Sequence, residues 1–314
     1  MGGYMLNFIV NEKSKSGNAK QIWKEIEEVL KVRNVSYQAF VSEYRGHAGK
    51  LAAEICAMDD NDICLVAVGG DGTANEVING ITDFEKVRFG VIPTGSGNDL
   101  ARGLSLSKDP KNGAIHILNA MKKSREDTWC MDLGEVNFGE KKRLFAISAG
   151  IGLDALVCKK ALKSTIKDIL NKIRLGKLTY LVLTVQSLFT MQTADAEIFF
   201  DREEGLQKKR MIFTAAMNFK AEGGGVPMAP AASACDGKLS FCEAAGIPKW
   251  RTFLCLPFLV AAKHTSIHGF SVTDAKDCTI RLSRPMVVHA DGEYCGEVTE
   301  VHFHCLPGKL RVLK

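Results

Sequence analysis

Along the first 127 residues, short apolar runs alternate with longer stretches in which apolar side chains recur every three or four positions. Residues 5–10, 35–41, 63–68 and 89–92 read as strands, and the run 63–68 carries no charge, as expected of a buried strand of a parallel sheet. Between them, Ile22, Ile26, Val29 and Leu30 share one face of a helix over 18–31. Leu51, Ile55 and Met58 share one over 47–58, and Val77, Ile78 and Ile81 mark a third. A short helix follows over 100–103. Repeated strand–helix units predict a parallel sheet with helices on both faces.

After Trp129 the texture changes. Residues 132–136, 143–149, 194–201, 210–218, 238–244, 278–282, 286–290 and 297–305 read as strands separated by turn residues, which predicts an antiparallel second domain. A helical insertion interrupts it over about 154–190, and the strand-like piece 309–313 crosses back to the first domain. The expected domains are residues 1–127 with a tail over 306–314, and residues 128–305. A chain of 314 residues suits two domains.

Composition narrows the setting. The net charge of +5 does not demand nucleic acid and suits anionic substrates or an anionic membrane surface. Ten cysteines occur without a C-x-x-C pair and no signal peptide is evident, so reduced thiols in a cytoplasmic protein are expected. The longest strongly apolar run, 253–262, contains Pro257 and falls far short of the roughly 20 residues that span a bilayer. Membrane contact is therefore expected to be peripheral, at the inner face.

The candidate chemistry starts where strand 63–68 enters Gly69-Gly70-Asp71-Gly72-Thr73. Glycines at a strand exit permit positive φ and a close approach to a ligand, and successive N–H groups form an anion nest. Thr73 and Glu76 have capping-box spacing, which predicts a helix start there. A helix N-terminus beside glycines is a phosphate site. Asp71 would repel phosphate alone, so the loop points to a nucleotide with a divalent cation. A second glycine turn, Pro93-Thr94-Gly95-Ser96-Gly97-Asn98-Asp99, and a Ser/Gly-rich loop over 11–17 also follow strands. In open α/β sheets such loops converge beyond the strands' carboxyl ends. The second half contributes Asp236-Gly237-Lys238-Leu239 after Pro230-Ala231, and later Asp291-Gly292-Glu293.

These motifs, with Gly69–Val77, Pro93–Arg102 and Gly223-Gly224-Gly225, resemble in content and order those of the soluble bacterial lipid kinases related to diacylglycerol kinase. The chain departs from that pattern at Glu12, where proline often stands, and in a longer first loop. The resemblance implies a Rossmann-like or flavodoxin-like first domain, a β-sandwich-like second domain as in NAD and diacylglycerol kinases, and ATP in the cleft between them. It implies transfer of the γ-phosphoryl group to a lipid hydroxyl at a membrane surface. Diacylglycerol is the default acceptor, with undecaprenol, sphingoid bases, ceramide and phosphatidylglycerol open.

Carried over position by position, the resemblance implies nucleotide contacts at Asn11, Ser16, Gly17, Ser42, Gly69, Gly70, Asp71, Gly72, Thr73, Ala74, Asn75, Gly95, Ser96, Asn98 and Asp99. Asp71 and Asp99 would organise Mg²⁺ and its waters. Asp236 resembles the ligand of a second, structural Mg²⁺, with the carbonyls of Ser233 and Lys238. Lys13 and Lys15 either neutralise phosphate or are solvated. Asp291, Glu293 and Asp71 are the candidates for the base; on a strand, Asp291 and Glu293 would point the same way. A type I′ turn at Asp291-Gly292 is the other reading of that motif.

Lys159, Lys160, Lys163, Lys167, Lys172, Arg174 and Lys177, against Asp168 alone, precede apolar residues 178–189. That pattern fits membrane docking or, equally, a solvated helix followed by a core helix. His264 and His268 read as surface or core histidines, since no HExxH motif occurs. The rivals to a lipid kinase are an NAD kinase, which shares the Gly-Gly-Asp-Gly-Thr loop, and a non-catalytic nucleotide or lipid sensor. A homodimer is possible.

Overall fold

The computed structural model describes residues 5–14, 19–58, 62–163, 176–201 and 204–314. The chain divides into two units, Met1–Asp132 with Gly308–Lys314, and Leu133–Pro307.

The first unit runs β1 (Leu6–Val10), α1 (Ala19–Val32), β2 (Tyr37–Val41), α2 (His47–Cys56), β3 (Ile63–Gly69), α3 (Asp71–Gly80), β4 (Val87–Pro93), α4 (Asp99–Gly103) and α5 (Pro110–Ala120). Its strands are parallel in the order β2-β1-β3-β4. Residues Arg311 and Val312 of the tail lie parallel beside Arg88 and Phe89 of β4. Every residue of β3 and β4 is buried, which explains their unbroken apolar runs, while β2 is the exposed edge. Helix α1 buries Ala19, Trp23, Ile26 and Leu30, the last three in one cluster with Phe8, Val66 and Ile117. Trp23 leads the core stripe, its ring 5.2 Å from that of Phe8, and Ile22 and Val29 flank it. Met58 lies exposed beyond the end of α2, outside the stripe predicted for it.

The second unit takes up most of β5 (Trp129–Phe138), then β6 (Lys141–Phe145), β7 (Ser148–Gly152), α6 (Leu153–Lys163), α7 (Gly176–Thr190), β8 (Ala194–Phe200), β9 (Leu206–Met211), β10 (Phe213–Met217), β11 (Leu239–Ala244), α8 (Lys249–Val260), β12 (Phe270–Ala275) and β13 (Asp277–Ala290). The last strand, β14, spans Glu293–Val312. Pairing is antiparallel throughout, in the order β12-β11-β10-β7-β13-β14.

The predicted strands 278–282 and 286–290 are one strand, β13, with a register shift between Arg281 and Met286. Pro285 lies in that gap, where a residue without an N–H cannot serve the ladder. The break lets Cys278–Leu282 pair with β8 while Val288–Ala290 pair with β7. The predicted strand 143–149 likewise divides into β6 and β7. The insertion over 154–190 contains α6 and α7, and Lys167, Asp168, Lys172 and Arg174 lie outside the described residues. Four elements escaped the periodicity: α5, β9, β12 and α8, whose Pro257 and partly apolar outer face hid it. No helix among the described residues is long and apolar enough to cross a membrane.

Candidate functional site

In a sheet ordered 2-1-3-4, neighbouring connections leave in opposite directions beyond β1 and β3, and ligands bind at that switch point. Asn11 follows β1 and donates its side-chain amide to the Thr73 hydroxyl, in the first turn of α3, at 3.0 Å. The hydroxyls of Ser14 and Thr94 share a 2.6 Å hydrogen bond. The loops after β1, β3 and β4 therefore meet, as the order of strands requires. Ser42, after β2, is buried and donates its N–H to Val10. Ser16 and Gly17, with Lys15, lie outside the described residues.

The glycines serve a different purpose from the one their spacing suggests. Gly70 has φ −92°, and the positive φ falls on Asn98, at 54°. What demands glycine is proximity: a Cβ on Gly70 would stand 3.2 Å from the Gly95 Cα, and one on Gly95 would stand 2.6 Å from the Gly70 Cα. Two loop backbones touch there. Asn98 locks the second loop by accepting the Gly95 N–H and donating to the Gly95 carbonyl, both at 2.9 Å.

The expected capping box is also absent. Helix α3 starts at Asp71, two residues early, because the Thr73 hydroxyl is taken by Asn11 and the Glu76 carboxylate accepts the Gly46 N–H at 2.8 Å. Gly72 is half-buried, while Ala74 and Asn75 sit on the buried side of α3, where Asn75 accepts from Asn79. Ser96 is exposed. Asp71 Oδ1 accepts the Leu100 N–H at 3.1 Å, which ties the glycine turn to the start of α4. A Cβ on Gly97 would lie 3.0 Å from Asp71 Oδ2 and 3.9 Å from Asp99 Oδ2. The missing side chain leaves two carboxylates bordering one small space. Asp99 is buried and ion-paired to Arg102, whose other arm donates to the Gly97 carbonyl at 3.0 Å. Lys13 is committed elsewhere, to the Glu43 carbonyl at 2.6 Å.

In the second unit, Asp291 departs from expectation. It lies in a two-residue turn, not on a strand, and both Asp291 and Gly292 have positive φ, 47° and 80°. That is the type I′ geometry of a hairpin between β13 and β14. Its carboxylate is buried and accepts the N–H groups of Ala146 and Ile147 at 2.8 Å and of Ser148 at 3.1 Å. Glu293, the first residue of β14, is half-buried, and Asp291, being in the turn, shares no strand face with it. Near these acids, burial pushes the Cys295 thiol up to about 11, and Glu293 and Asp291 add to the rise against the opposing charge of Arg143.

Around this turn stands a cluster the motifs did not reveal. His289 Nε2 is 3.1 Å from Asp154 Oδ2, Gly292 donates its N–H to His289 Nδ1 at 3.2 Å, and the Ser148 hydroxyl donates to Glu222. Burial disfavours a charged His289, but the Asp154 hydrogen bond and the charges of Asp154, Glu222 and Asp291 outweigh it and raise its pKa. Glu222 is presented by a loop in which Gly223, Gly224 and Gly225 have φ of 58°, 86° and 102°, a run that side chains with a Cβ resist. Gly150 makes room for the pair: a Cβ there would stand 2.9 Å from His289 Nε2 and inside the Asp154 carboxylate, a requirement that no spacing in the sequence announces. Asp236 is exposed and accepts the Lys238 N–H at 3.1 Å, closing a turn over Gly237, while Ser233 meets the Cys235 thiol at 3.6 Å. An open cavity of about 420 Å³ is bordered by Leu156, Met191, Met286 and Val287, with Arg284 and Glu297.

Comparison with known proteins agrees with both halves. Residues 5–131 match the diacylglycerol kinase catalytic domain, and residues 148–314 match the YegS C-terminal NAD kinase beta sandwich-like domain. A Bacillus subtilis protein named "Putative lipid kinase YtlR" is 30% identical over 97% of this chain and 98% of its own length. A Bacillus subtilis diacylglycerol kinase is 28% identical over 78% of this chain and 75% of its own. Among solved structures, one titled a "putative diacylglycerol kinase" from Bacillus anthracis superposes with a TM-score of 0.78 at 22% identity, covering 100% of this chain and 98% of that one.

Proposed function

The chain belongs to the diacylglycerol kinase-like lipid kinase family, and from that premise we propose that it transfers the γ-phosphoryl group of ATP to the hydroxyl of diacylglycerol, with Mg²⁺. The observation that carries this reading is the backbone contact of Gly70 with Gly95 beside the Asp71 and Asp99 carboxylates. The contact brings two loops together beside the N-terminus of α3, a setting that suits a triphosphate, and the carboxylate oxygens near Gly97 suit Mg²⁺. When bound, Mg²⁺ neutralises the charge that builds on the transferred group.

In this reading the turns at 69–73 and 94–98 hold the phosphates, with the first turn of α3 aimed at them. Asp71 and Asp99 are the metal's carboxylates; Arg102 pairs with Asp99 Oδ1, while Oδ2 is the oxygen nearest Gly97. Glu293 takes the proton of the lipid hydroxyl as its oxygen bonds to the γ-phosphorus and ADP leaves. Asp291, with its oxygens engaged by three N–H groups, holds the turn that presents Glu293. Asp236, with the carbonyls of Ser233 and Lys238, is proposed as the ligand set of a second, structural Mg²⁺; its exposure supports a site open to water.

Contact with a lipid surface is proposed through α7 and α8, not through Lys159 and Lys160. Lys159 is paired with Glu297 and stacked over Tyr294, and Lys160 donates to Thr190 at 3.1 Å, so both are spent within the unit. By contrast Leu181, Val182, Phe189, Trp250, Phe253, Leu254, Phe258 and Val260 are exposed, with Phe189 and Phe253 rings 6.0 Å apart. A patch of that kind, beside exposed Arg251 and Lys263, fits an anionic bilayer surface.

The test is purified protein with labelled ATP and a panel of acceptors that includes diacylglycerol, the other lipids and NAD⁺, followed by identification of the product. Labelled phosphatidic acid is expected. Labelled NADP⁺ with no phospholipid would overturn the reading in favour of an NAD kinase, and nucleotide binding without any product would leave a sensor.

A further inference from the structure

The outer face of the β13–β14 hairpin carries three polar cross-strand pairs in succession: Arg281 opposite Glu300, Thr279 opposite His302, and Asp277 opposite His304. The alternate residues Cys278, Ile280, Val301, Phe303 and Cys305 are buried, so the strand period puts all six polar side chains on one side. Arg281 and Glu300 satisfy each other at 3.0 Å. The other two pairs form a different kind of group. The rings of His302 and His304 lie 6.4 Å apart and within 17° of parallel. Asp277 Oδ1 is 2.7 Å from His304 Nδ1 and 3.4 Å from His302 Nε2. Thr279 Oγ1 is 3.0 Å from His302 Nδ1.

From this geometry we propose that Asp277, His302 and His304 form a binding site for a divalent cation of the zinc class. One ligand atom from each lies within 4.8 Å of the others. Tetrahedral bonds of 2.0–2.1 Å put donor atoms about 3.3 Å apart. His302 Nε2 and Asp277 Oδ1 already have that separation, and the Asp277–His304 contact reaches it by opening about half an ångström. Thr279 holds the second nitrogen of His302 and so turns Nε2 toward the site, the role outer partners play in metal centres. Two imidazoles select for zinc-like ions over Mg²⁺ and Ca²⁺, which take oxygen donors. The three side chains are about one-third exposed, so an ion enters from solvent and water fills the fourth position. The bound ion clasps the start of β13 to β14, where His304 lies 27 positions away from Asp277. The proposal stands apart from the kinase reading, since none of these residues belongs to it.

The test is calorimetric titration of the metal-stripped full chain with Zn²⁺ in the presence of excess Mg²⁺. One Zn²⁺ per chain is expected, with a higher melting temperature. His302→Ala and His304→Ala should each weaken binding at least about tenfold, and Thr279→Val by about tenfold. Absence of saturable binding would overturn the site as a structural ion pair only. So would affinity unchanged in the double histidine variant, which would move the ion to Cys235 or to the Asp154–Glu222–His289 cluster. Electron paramagnetic resonance with Cu²⁺ on the unaltered protein gives a readout that needs no variant: nitrogen coupling from two imidazoles is expected, and its absence overturns the proposal.

Discussion

Asp291 and Ser148 exchange hydrogen bonds in both directions: the Asp291 N–H donates to the Ser148 carbonyl at 2.8 Å, and the Ser148 N–H donates to the Asp291 carboxylate at 3.1 Å. With the amides of Ala146 and Ile147, this makes Asp291 the clamp of the β7–β13 corner. Asp291→Asn sets an NH₂ against N–H donors in a buried place and should cost roughly 3 kcal/mol of stability, read by denaturant unfolding. Glu293→Gln should leave stability within about 0.5 kcal/mol and lower kcat by about a hundredfold or more with little change in ATP affinity. A stable Asp291→Asn variant, or a fully active Glu293→Gln variant, would reverse these roles.

Asp71 has two tasks that substitution can separate. Asp71→Asn keeps an acceptor for the Leu100 N–H, so the fold should persist while the Mg²⁺ dependence of turnover shifts to higher concentration. Asp71→Ala should lose both, with an added stability loss of about 1 kcal/mol. An Mg²⁺ titration of activity that is the same in Asp71→Asn as in the parent protein contradicts the metal role.

Gly95→Ala drives a Cβ against the Gly70 backbone, which cannot turn aside as a side chain tip can. A loss of about 1–3 kcal/mol is expected, with ATP affinity falling at least tenfold. Ser96→Ala, at an exposed position beside it, should leave stability unaltered. Fluorescence titration with a nucleotide analogue measures the first effect, thermal melting the second.

The two buried histidines should bend the pH–stability curve in opposite directions. His289 has a raised native pKa despite burial, because Asp154, Glu222 and Asp291 favour its charge. Its contribution is full below the ordinary value of 6.5 and is lost as pH rises through the higher native value. His264 has a lowered native pKa, from burial set against a hydrogen bond to Met228. Its contribution is full above 6.5 and is lost as pH falls below it toward the native value. Urea unfolding from pH 5 to 8 (about the range in which histidines titrate) should show His289→Gln removing the alkaline decline and His264→Gln the acidic one. Parallel curves for all three proteins would refute both assignments.

Replacing Trp250 and Leu254 with Glu places charge on the exposed face of α8 without touching buried Thr252, Cys255 or Leu259. Sedimentation with anionic liposomes should fall at least fivefold, while activity on a short-chain, water-soluble acceptor stays within about twofold. Lys159→Glu and Lys160→Glu should matter less to liposome binding, since those ammonium groups are already engaged. Equal loss from both sets would restore the basic stretch as the docking element.

The parts legible in the sequence were those whose signal is local. Strands β1, β3 and β4 are buried on both faces, so their composition alone marks them, and a glycine-rich turn after β3 and after β4 carries its own punctuation. The long antiparallel elements were harder. β13 reads as two strands because Pro285 breaks its pattern, and α8 reads as a mere apolar run because part of its outer face is apolar too. The local geometry expected of the candidate residues could still be wrong: the capping box at Thr73 and the strand placement of Asp291 both failed against partners distant in the chain.

By itself, then, the sequence determined the family and most of the succession of elements, since hydrophobic period and turn-forming residues act over a few neighbours. Tertiary structure decided what each polar atom is bound to. The amides that hold Asp291 lie 143 to 145 residues earlier, and the carboxylate facing His289 lies 135 residues earlier. A hydrogen bond is chosen by distance and direction in space, and no spacing along the chain records which partner will arrive.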